Sequence, residues 1–153
     1  MNRIDKDEYY LKIAKSVASR STCLKRQYGC VIVNNDEIIA TGYNGSPRGE
    51  VNCCDLGFCK RLNQPHNSGN YDDCHSVHAE QNALISASRK DMIGATAYLY
   101  GQEIMKETIT ASSGFRMYQA LEIEAFPCPI CQRMLKNAGI VKLINREGIN
   151  VFN

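Results

Sequence analysis

His78-Ala79-Glu80 and, further along the chain, Pro127-Cys128-Pro129-Ile130-Cys131 are the two stretches on which the reading of this sequence turns. Each opens an apolar pattern of helical period. Ala83, Leu84, Ile85 and Ala87 follow the first, and Met134, Leu135 and Ala138 follow the second. Gly139 stands where a helix ends on a left-handed residue. Cys128 and Cys131 are three apart, which puts both sulfurs on one face of the first helical turn. The partial positive charge of a helix N-terminus favours thiolates, the form a metal binds. One imidazole and two thiolates supply three ligands for tetrahedral zinc and leave the fourth position to water. Glu80, two residues past His78, reaches that water without sharing the imidazole's direction, which suits a proton shuttle. Taken separately the halves say little, since C-x-x-C also serves as a redox pair or as half of a zinc ribbon. In this order, with Pro127 ahead of the first Cys and both halves opening helices, they predict a catalytic zinc held by His78, Cys128 and Cys131.

Outward from these stretches the elements alternate. Residues 7–19 have the spacing of an amphipathic helix, with Tyr10, Ile13, Ala14, Val17 and Ala18 on one face. Residues 30–33 and 38–41 read as strands joined by the turn Asn34-Asn35-Asp36-Glu37. Residues 44–73 are loop-rich, full of Gly, Asn, Pro and Cys. A strand over 95–100 follows the His78 helix, and another over 141–145 follows the Cys128 helix. A helix, a hairpin and then strands alternating with helices predict an α/β fold, a mixed sheet covered by helices on both faces. No repeat, low-complexity tract or linker interrupts the chain, so residues 1–153 read as one domain.

Composition narrows the function classes. The 153 residues are enough for a real core, and 44% hydrophobic with 22% charged residues is ordinary for a soluble protein. A net charge of +2 argues against extended nucleic acid as a partner, while leaving room for a local basic pocket. The N-terminal Met1-Asn2-Arg3-Ile4-Asp5-Lys6-Asp7 lacks a signal h-region, and no apolar run approaches membrane-spanning length. The expectation is a cytoplasmic protein with no membrane partner. In that reducing compartment its eight cysteines serve metal ligation more than disulfides.

With these residues in view, the chain resembles the cytidine and deoxycytidylate deaminase superfamily, and within it the dCMP deaminase branch. H-A-E, P-C-x-x-C and the strand order carry the superfamily likeness. Gly42-Tyr43-Asn44-Gly45-Ser46-Pro47, with Ser21-Thr22-Cys23 and Val51-Asn52-Cys53-Cys54 around it, points to the branch, and the likeness runs from Tyr9 to Ile144. The resemblance implies a three-layer α-β-α domain, its central mixed sheet five-stranded, with zinc between the N-termini of two helices. It implies hydrolysis of a cytosine nucleotide, foremost dCMP, to dUMP and ammonia. Glu80 would pass the water proton to pyrimidine N3 and then protonate the departing amine. The N–H of Ala79 would hold the pyrimidine O2. Asn44 matches the family's sugar-contacting Asn, although Asn-Gly is equally a strong turn dipeptide. The branch also implies a homo-oligomer, often a hexamer, that responds to dCTP and dTTP.

A 5′-phosphate needs a cation. Lys25 and Arg26 lie just before the first strand and Arg48 follows Pro47; the bidentate fork of Arg makes Arg26 and Arg48 the candidates, against the plainer reading of solvated surface arginines. Cys53, Cys54, Cys59 and Cys74 fall in a segment with little apolar content, the kind a metal staples. Some dCMP-type relatives hold a second, non-catalytic zinc here, with one ligand just after the first helix, where Cys23 sits. Cys23, Cys53, Cys59 and Cys74 would close such a site. Cys54 is an alternative to Cys53, and His66 or His75 to a thiolate; buried free thiols, as expected of Cys30, are the plainer reading.

In one respect the chain departs from its relatives, in which the strand before P-C-x-x-C runs almost directly into it. Here residues 101–126 intervene. Phe115, Tyr118 and Leu121 have helical spacing, while Lys106-Glu107-Thr108-Ile109-Thr110 looks like a strand, so a hairpin extension and a short helix both stand. An insert beside the zinc cysteines bears on substrate choice, as a lid or as a wall of the base pocket. Two rival functions remain: a deaminase for free cytidine, guanine or a riboflavin precursor, and a non-catalytic zinc-stabilised module of a DNA-uptake system. Glu80 argues against the second, because a structural zinc has no use for a carboxylate that is not a ligand.

Overall fold

In the computed structural model, which describes residues 1–66, 68–69, 71–109 and 116–152 (of 106–109 and 116–118 the backbone only), α1 spans Lys6–Ala18. Asp5 starts this helix by accepting the N–H of Glu8 at 2.8 Å, a capping bond that satisfies one of the free donors of the first turn. Tyr10, Ala14 and Ala18, four apart, form its buried stripe. β1 (Arg26–Asn34) and β2 (Glu37–Tyr43) make an antiparallel hairpin. Both are longer than the apolar runs predicted, because polar residues such as Arg26 and Gln27 pair through their backbones without adding to the hydrophobic pattern. Asn35 and Asp36 turn the hairpin with φ of 49° and 65°, left-handed values that Asn and Asp tolerate.

Between β2 and the His78 segment the loop holds a short helix α2 (Cys53–Leu56) and a 3-10 turn at Tyr71–Asp73. Then follow α3 (Ala79–Ile85), α4 (Arg89–Met92), β3 (Thr96–Ile109), β4 (Arg116–Glu122), α5 (Pro129–Ala138), β5 (Lys142–Asn145) and β6 (Gly148–Val151). The strand order is β2-β1-β3-β5-β6, with β4 paired to β3; β3 and β5 run parallel and the other pairs antiparallel. The sheet therefore has six strands, one more than the five expected. The described part of residues 101–126 favours the strand reading: β3 continues through Lys106, Glu107, Thr108 and Ile109 and pairs antiparallel with β4. Tyr118 and Leu121 lie in β4 and not in a helix, while Thr110 and Phe115 lie outside the described residues. β6 went unpredicted because it is only four residues long, too short for the alternation of Ile149 and Val151 to stand out, and all four residues are exposed.

Strand side chains alternate between faces, and the alternation separates two cores. Val31, Val33, Tyr98, Tyr100 and Ile144 pack with the α1 stripe. Cys30, Ile32, Ala97, Leu99 and Leu143 pack on the other face against Ala79, Ala83 and Leu84 of α3 and Leu135 of α5. The α-β-α layering is thus as predicted, with Cys30 a buried free thiol. Gly42 decides how closely α3 can lie on the sheet. A Cβ there would stand 2.3 Å from both the Ala79 carbonyl oxygen and the Ala83 nitrogen. Among the described residues no helix is long and apolar enough to cross a membrane.

Candidate active site

His78 is the N-cap residue of α3, and its backbone N–H donates to the Gln81 side chain at 2.9 Å. The preceding Val77 forms an antiparallel bridge with Gly45, its N–H donating to the Gly45 carbonyl at 2.8 Å, so the approach to α3 is tied to the end of β2. Cys128 caps α5, with Pro129 next and Gly139 ending the helix at φ 97°, as its spacing predicted. The Cys128 sulfur accepts the N–H of Cys131 at 3.4 Å. Nδ1 of His78 lies 3.6 Å from the Cys128 sulfur and 3.4 Å from that of Cys131. Zinc bonds of about 2.0–2.3 Å give a tetrahedral edge of roughly 3.6 Å, so these three atoms suit three corners of one tetrahedron. Among the described residues this is the one group of three or more ligand atoms lying within 4.8 Å of one another.

The donor chemistry fits zinc as well. Burial, with a smaller contribution from Arg61, holds His78 below the ordinary histidine range, so the imidazole is the neutral form a metal takes. The Cys131 thiol is pushed up, by burial first and then by the charges of Glu80 and Cys128. Here the helix end, expected to favour the thiolate, loses to desolvation. A thiolate at that position needs a cation among the three donors, and zinc supplies one.

Glu80, the second residue of α3, is 5% exposed. Burial pushes its carboxyl up to about 7, against weaker lowering by its own N–H and by Cys131. With His78, Ala79, Cys128, Tyr28 and Asn44 it lines a cavity of about 130 Å³. An engineered apolar cavity of about 150 Å³ takes up benzene, so a planar six-membered ring is of the right size for this one.

The other predicted residues divide. Ala79 is fully buried in the cavity wall. Asn44 also lines the cavity, but most of its amide is engaged. Its oxygen accepts the Ser21 hydroxyl and the Tyr28 N–H, each at 2.7 Å, and its nitrogen donates to the Arg26 carbonyl at 2.8 Å. One N–H remains for a ligand. Arg26 reaches the cavity with its Nη2 3.5 Å from Glu103 and its buried Nε without a partner. Arg48 is exposed and outside the lining. Lys25 lines the cavity, but its ammonium donates to the carbonyls of Arg61, at 2.9 Å, and Gln64.

Cys23, Cys59 and Cys74 line the same cavity, and Cys53 does not. Burial raises the thiols of Cys23 and Cys53, and the charges of neighbouring cysteines add to it, Cys59 and Cys74 acting on both. The four share a neighbourhood without closing to the 4.8 Å spacing of the His78 trio. Cys54 is exposed, and His75 pairs with the Ser46 hydroxyl at 3.1 Å. His66 is in the lining and held low by burial, Arg26, Lys25 and Arg61. Sequence reasoning missed Tyr28, Arg61, Tyr71 and Phe126 in the cavity wall. Phe126, next to Pro127, had adjacency as a signal; Arg61 and Tyr71 come from an irregular loop and had none.

Residues 4–146 match the family described as "Cytidine and deoxycytidylate deaminase zinc-binding region". The chain is 41% identical over 143 residues to a deoxycytidylate deaminase of Saccharomyces cerevisiae, covering 88% of this chain and 43% of that protein. It is 36% identical over 133 residues to a deoxycytidylate deaminase of Mycobacterium phage D29, covering 83% of this chain and 98% of that one. The chain thus spans less than half of the yeast relative and nearly all of the phage relative. A crystal structure of dCMP deaminase from the cyanophage S-TIM5, in complex with dCMP and dUMP, superposes with a TM-score of 0.59 at 26% identity, covering 94% of this chain and 83% of that one. Similarity over this length, on a layered sheet whose two helix ends gather a zinc trio, leaves one placement: the chain belongs to the cytidine and deoxycytidylate deaminase zinc-binding family.

Proposed function

We propose that this chain is a zinc-dependent hydrolase that converts a cytosine nucleotide, foremost dCMP, to its uracil counterpart and ammonia. The observation that carries the reading is Glu80, a carboxyl buried beside the trio in a ring-sized cavity and holding its proton near neutrality. His78, Cys128 and Cys131 would hold a zinc ion, which would supply a water acidic enough to lose a proton near pH 7. Glu80 accepts that proton and gives it to N3 of the ring as the water oxygen adds to C4. It then takes the proton left on the added oxygen and hands it to the departing amine, so that the C4–N bond breaks as the C4 carbonyl forms. The Ala79 N–H, on the first turn of α3 where helical acceptors are lacking, suits the pyrimidine O2. The remaining N–H of Asn44 suits the sugar. Ammonia release from a panel of cytosine nucleosides and nucleotides, with guanine and a riboflavin precursor beside them, tests the reading. dCMP should lead, and higher turnover of free cytidine, guanine or a riboflavin precursor would overturn the assignment.

Of the two phosphate candidates, Arg26 is supported by its place in the cavity and its unpartnered Nε, and Arg48 is not. Arg26→Ala should lower kcat/KM for dCMP by about 10- to 100-fold, the cost of leaving a dianion without its charged partner, and spare deoxycytidine. Arg48→Ala should leave both substrates within about twofold. Equal wild-type activity on dCMP and deoxycytidine would remove the phosphate from the account.

We also propose a second, structural zinc on Cys23, Cys53, Cys59 and Cys74, supported by the shared neighbourhood of those thiols. Purified protein should then carry about two zinc ions per chain. Cys59→Ser should lose one of them and melt at lower temperature, since structural zinc contributes on the order of 10 kcal/mol of apparent binding energy. One zinc per chain, indifferent to Cys59→Ser, rejects this site. The same reading makes the protein cytoplasmic, as its eight free cysteines support, and a nucleotide-regulated homo-oligomer, for which exposed Ile85, Ile130 and Met134 offer an apolar contact. Sedimentation and titration with dCTP and dTTP test the assembly, and a monomer indifferent to both nucleotides is the contrary result.

A further inference from the structure

We propose that Lys25 is a positioning residue for the substrate cavity, its ammonium pinning loop 59–66, the outer wall of that cavity, to the sheet. For its kinetic consequences the proposal rests on the deaminase reading; for its geometry it does not. Lys25 itself is firmly held. Its carbonyl accepts the N–H of Ile104 in β3 at 2.9 Å, and the next residue begins β1. From that anchor the ammonium donates to the Arg61 and Gln64 carbonyls. The loop's own bonds are local: Leu62 N–H to the Cys59 carbonyl and Gln64 N–H to the Arg61 carbonyl, both 3.1 Å, and Arg61 to the Gln64 and Ser68 side chains. They shape a turn and do not attach it. Among the described residues, the two bonds from Lys25 are the hydrogen bonds that join 59–66 to any strand or helix or to the residues next to one.

What the loop carries makes the pin matter. Cys59, Arg61, Pro65 and His66 face the cavity from it, and Arg61 stands over the Tyr71 ring at 5.6 Å. Hydrogen bonds from a charged donor are stronger than neutral ones, and these are partly buried, so losing both frees the wall beyond Cys59, at residues 61–66. A freed wall must be re-ordered each time substrate binds, which weakens binding. The reacting end, with Glu80 on α3, keeps its own supports. Lys25 therefore acts on KM and leaves kcat alone.

The test uses full-length, zinc-loaded protein with Lys25→Met, which keeps the stem and removes the donors, and Lys25→Arg, which keeps a cation. Trypsin cleavage at Lys60 and Arg61 reports the loop, and KM and kcat for dCMP and deoxycytidine report the cavity. Lys25→Met should be cleaved at least tenfold faster and should raise KM for both substrates at least tenfold, with kcat within about twofold, since about tenfold is already the scale for losing one of the two charged hydrogen bonds. Lys25→Arg should recover most of both effects. Unchanged cleavage with KM raised for dCMP alone would make Lys25 a direct phosphate contact and overturn the pin. Unchanged cleavage and KM would overturn it as well, as would a collapse of Tm and kcat together in both variants. If the wild type turns over neither substrate, the deaminase reading fails, and the cleavage arm still decides the pin.

Discussion

Glu80→Gln is expected to abolish deamination while the catalytic zinc stays bound. Gln has the size of Glu and keeps an oxygen and a donor in the same place, but it cannot take up and release a proton. The carboxyl it replaces is buried, so bulk water is poorly placed to stand in for it. General acid–base catalysis contributes about 10² to 10⁴ in rate, and Glu80 is assigned two transfers, so a loss at or beyond the upper figure is expected. His78→Ala and Cys131→Ala should behave differently. Each removes a ligand from a site with only three, so metal and activity should go together. Zinc analysis beside ammonia release separates the two patterns. Substantial turnover by Glu80→Gln, or zinc loss as complete as in His78→Ala, would mean that Glu80 is no proton shuttle.

A second large effect should come from Gly42→Val, which touches no ligand and no substrate. A Cβ at this position stands 2.3 Å from two backbone atoms of α3, and backbone cannot yield as a side-chain tip can. Either α3 lifts from the sheet or β2 bends away, and the helix that would move carries His78 at its cap and Glu80 on its first turn. Overpacking of this kind costs about 3 kcal/mol or more, which for a chain of this length lowers Tm by roughly 10 °C. Zinc affinity should fall with it, because the imidazole is displaced relative to the cysteines on α5. The exposed neighbour Thr41 is the control, and Thr41→Val should move Tm by no more than about 2 °C. A Gly42→Val protein that melts with the wild type and holds zinc as tightly would show that this close approach does not seat the helix.

The zinc trio was legible because it is nearly local. Cys128 and Cys131 share a helical turn, His78 and Glu80 share another, and each pair announces itself by spacing and by the apolar pattern behind it. The layers were legible for a similar reason, since Val31 and Val33 alternate with Cys30 and Ile32 and so point to opposite cores. The stretch from Gly101 to Phe126 was not. Tyr118 and Leu121 are spaced for a helix, yet both lie in β4, which pairs with β3, and a short run of this kind takes its structure from the partner beside it. β6 offered only Ile149 and Val151 in alternation, too short a run to mark a strand, and its structure comes from pairing with β5.

The sequence by itself therefore determined the candidate donors, the candidate acid and the alternation of the main helices and strands, all properties of neighbours in the chain. Tertiary structure alone decided which cation reaches the cavity, since Arg26 and Arg48 look alike until the sheet places one inside and leaves the other in solvent. It alone set the Cys131 thiol high and held the Glu80 proton near neutrality. It alone turned Lys25 from a free cation into a clasp between strand and loop. The physical reason is common to these: desolvation and hydrogen bonding are set by what approaches through space, and residues as distant in sequence as Lys25 and Gln64 meet only once the chain has folded.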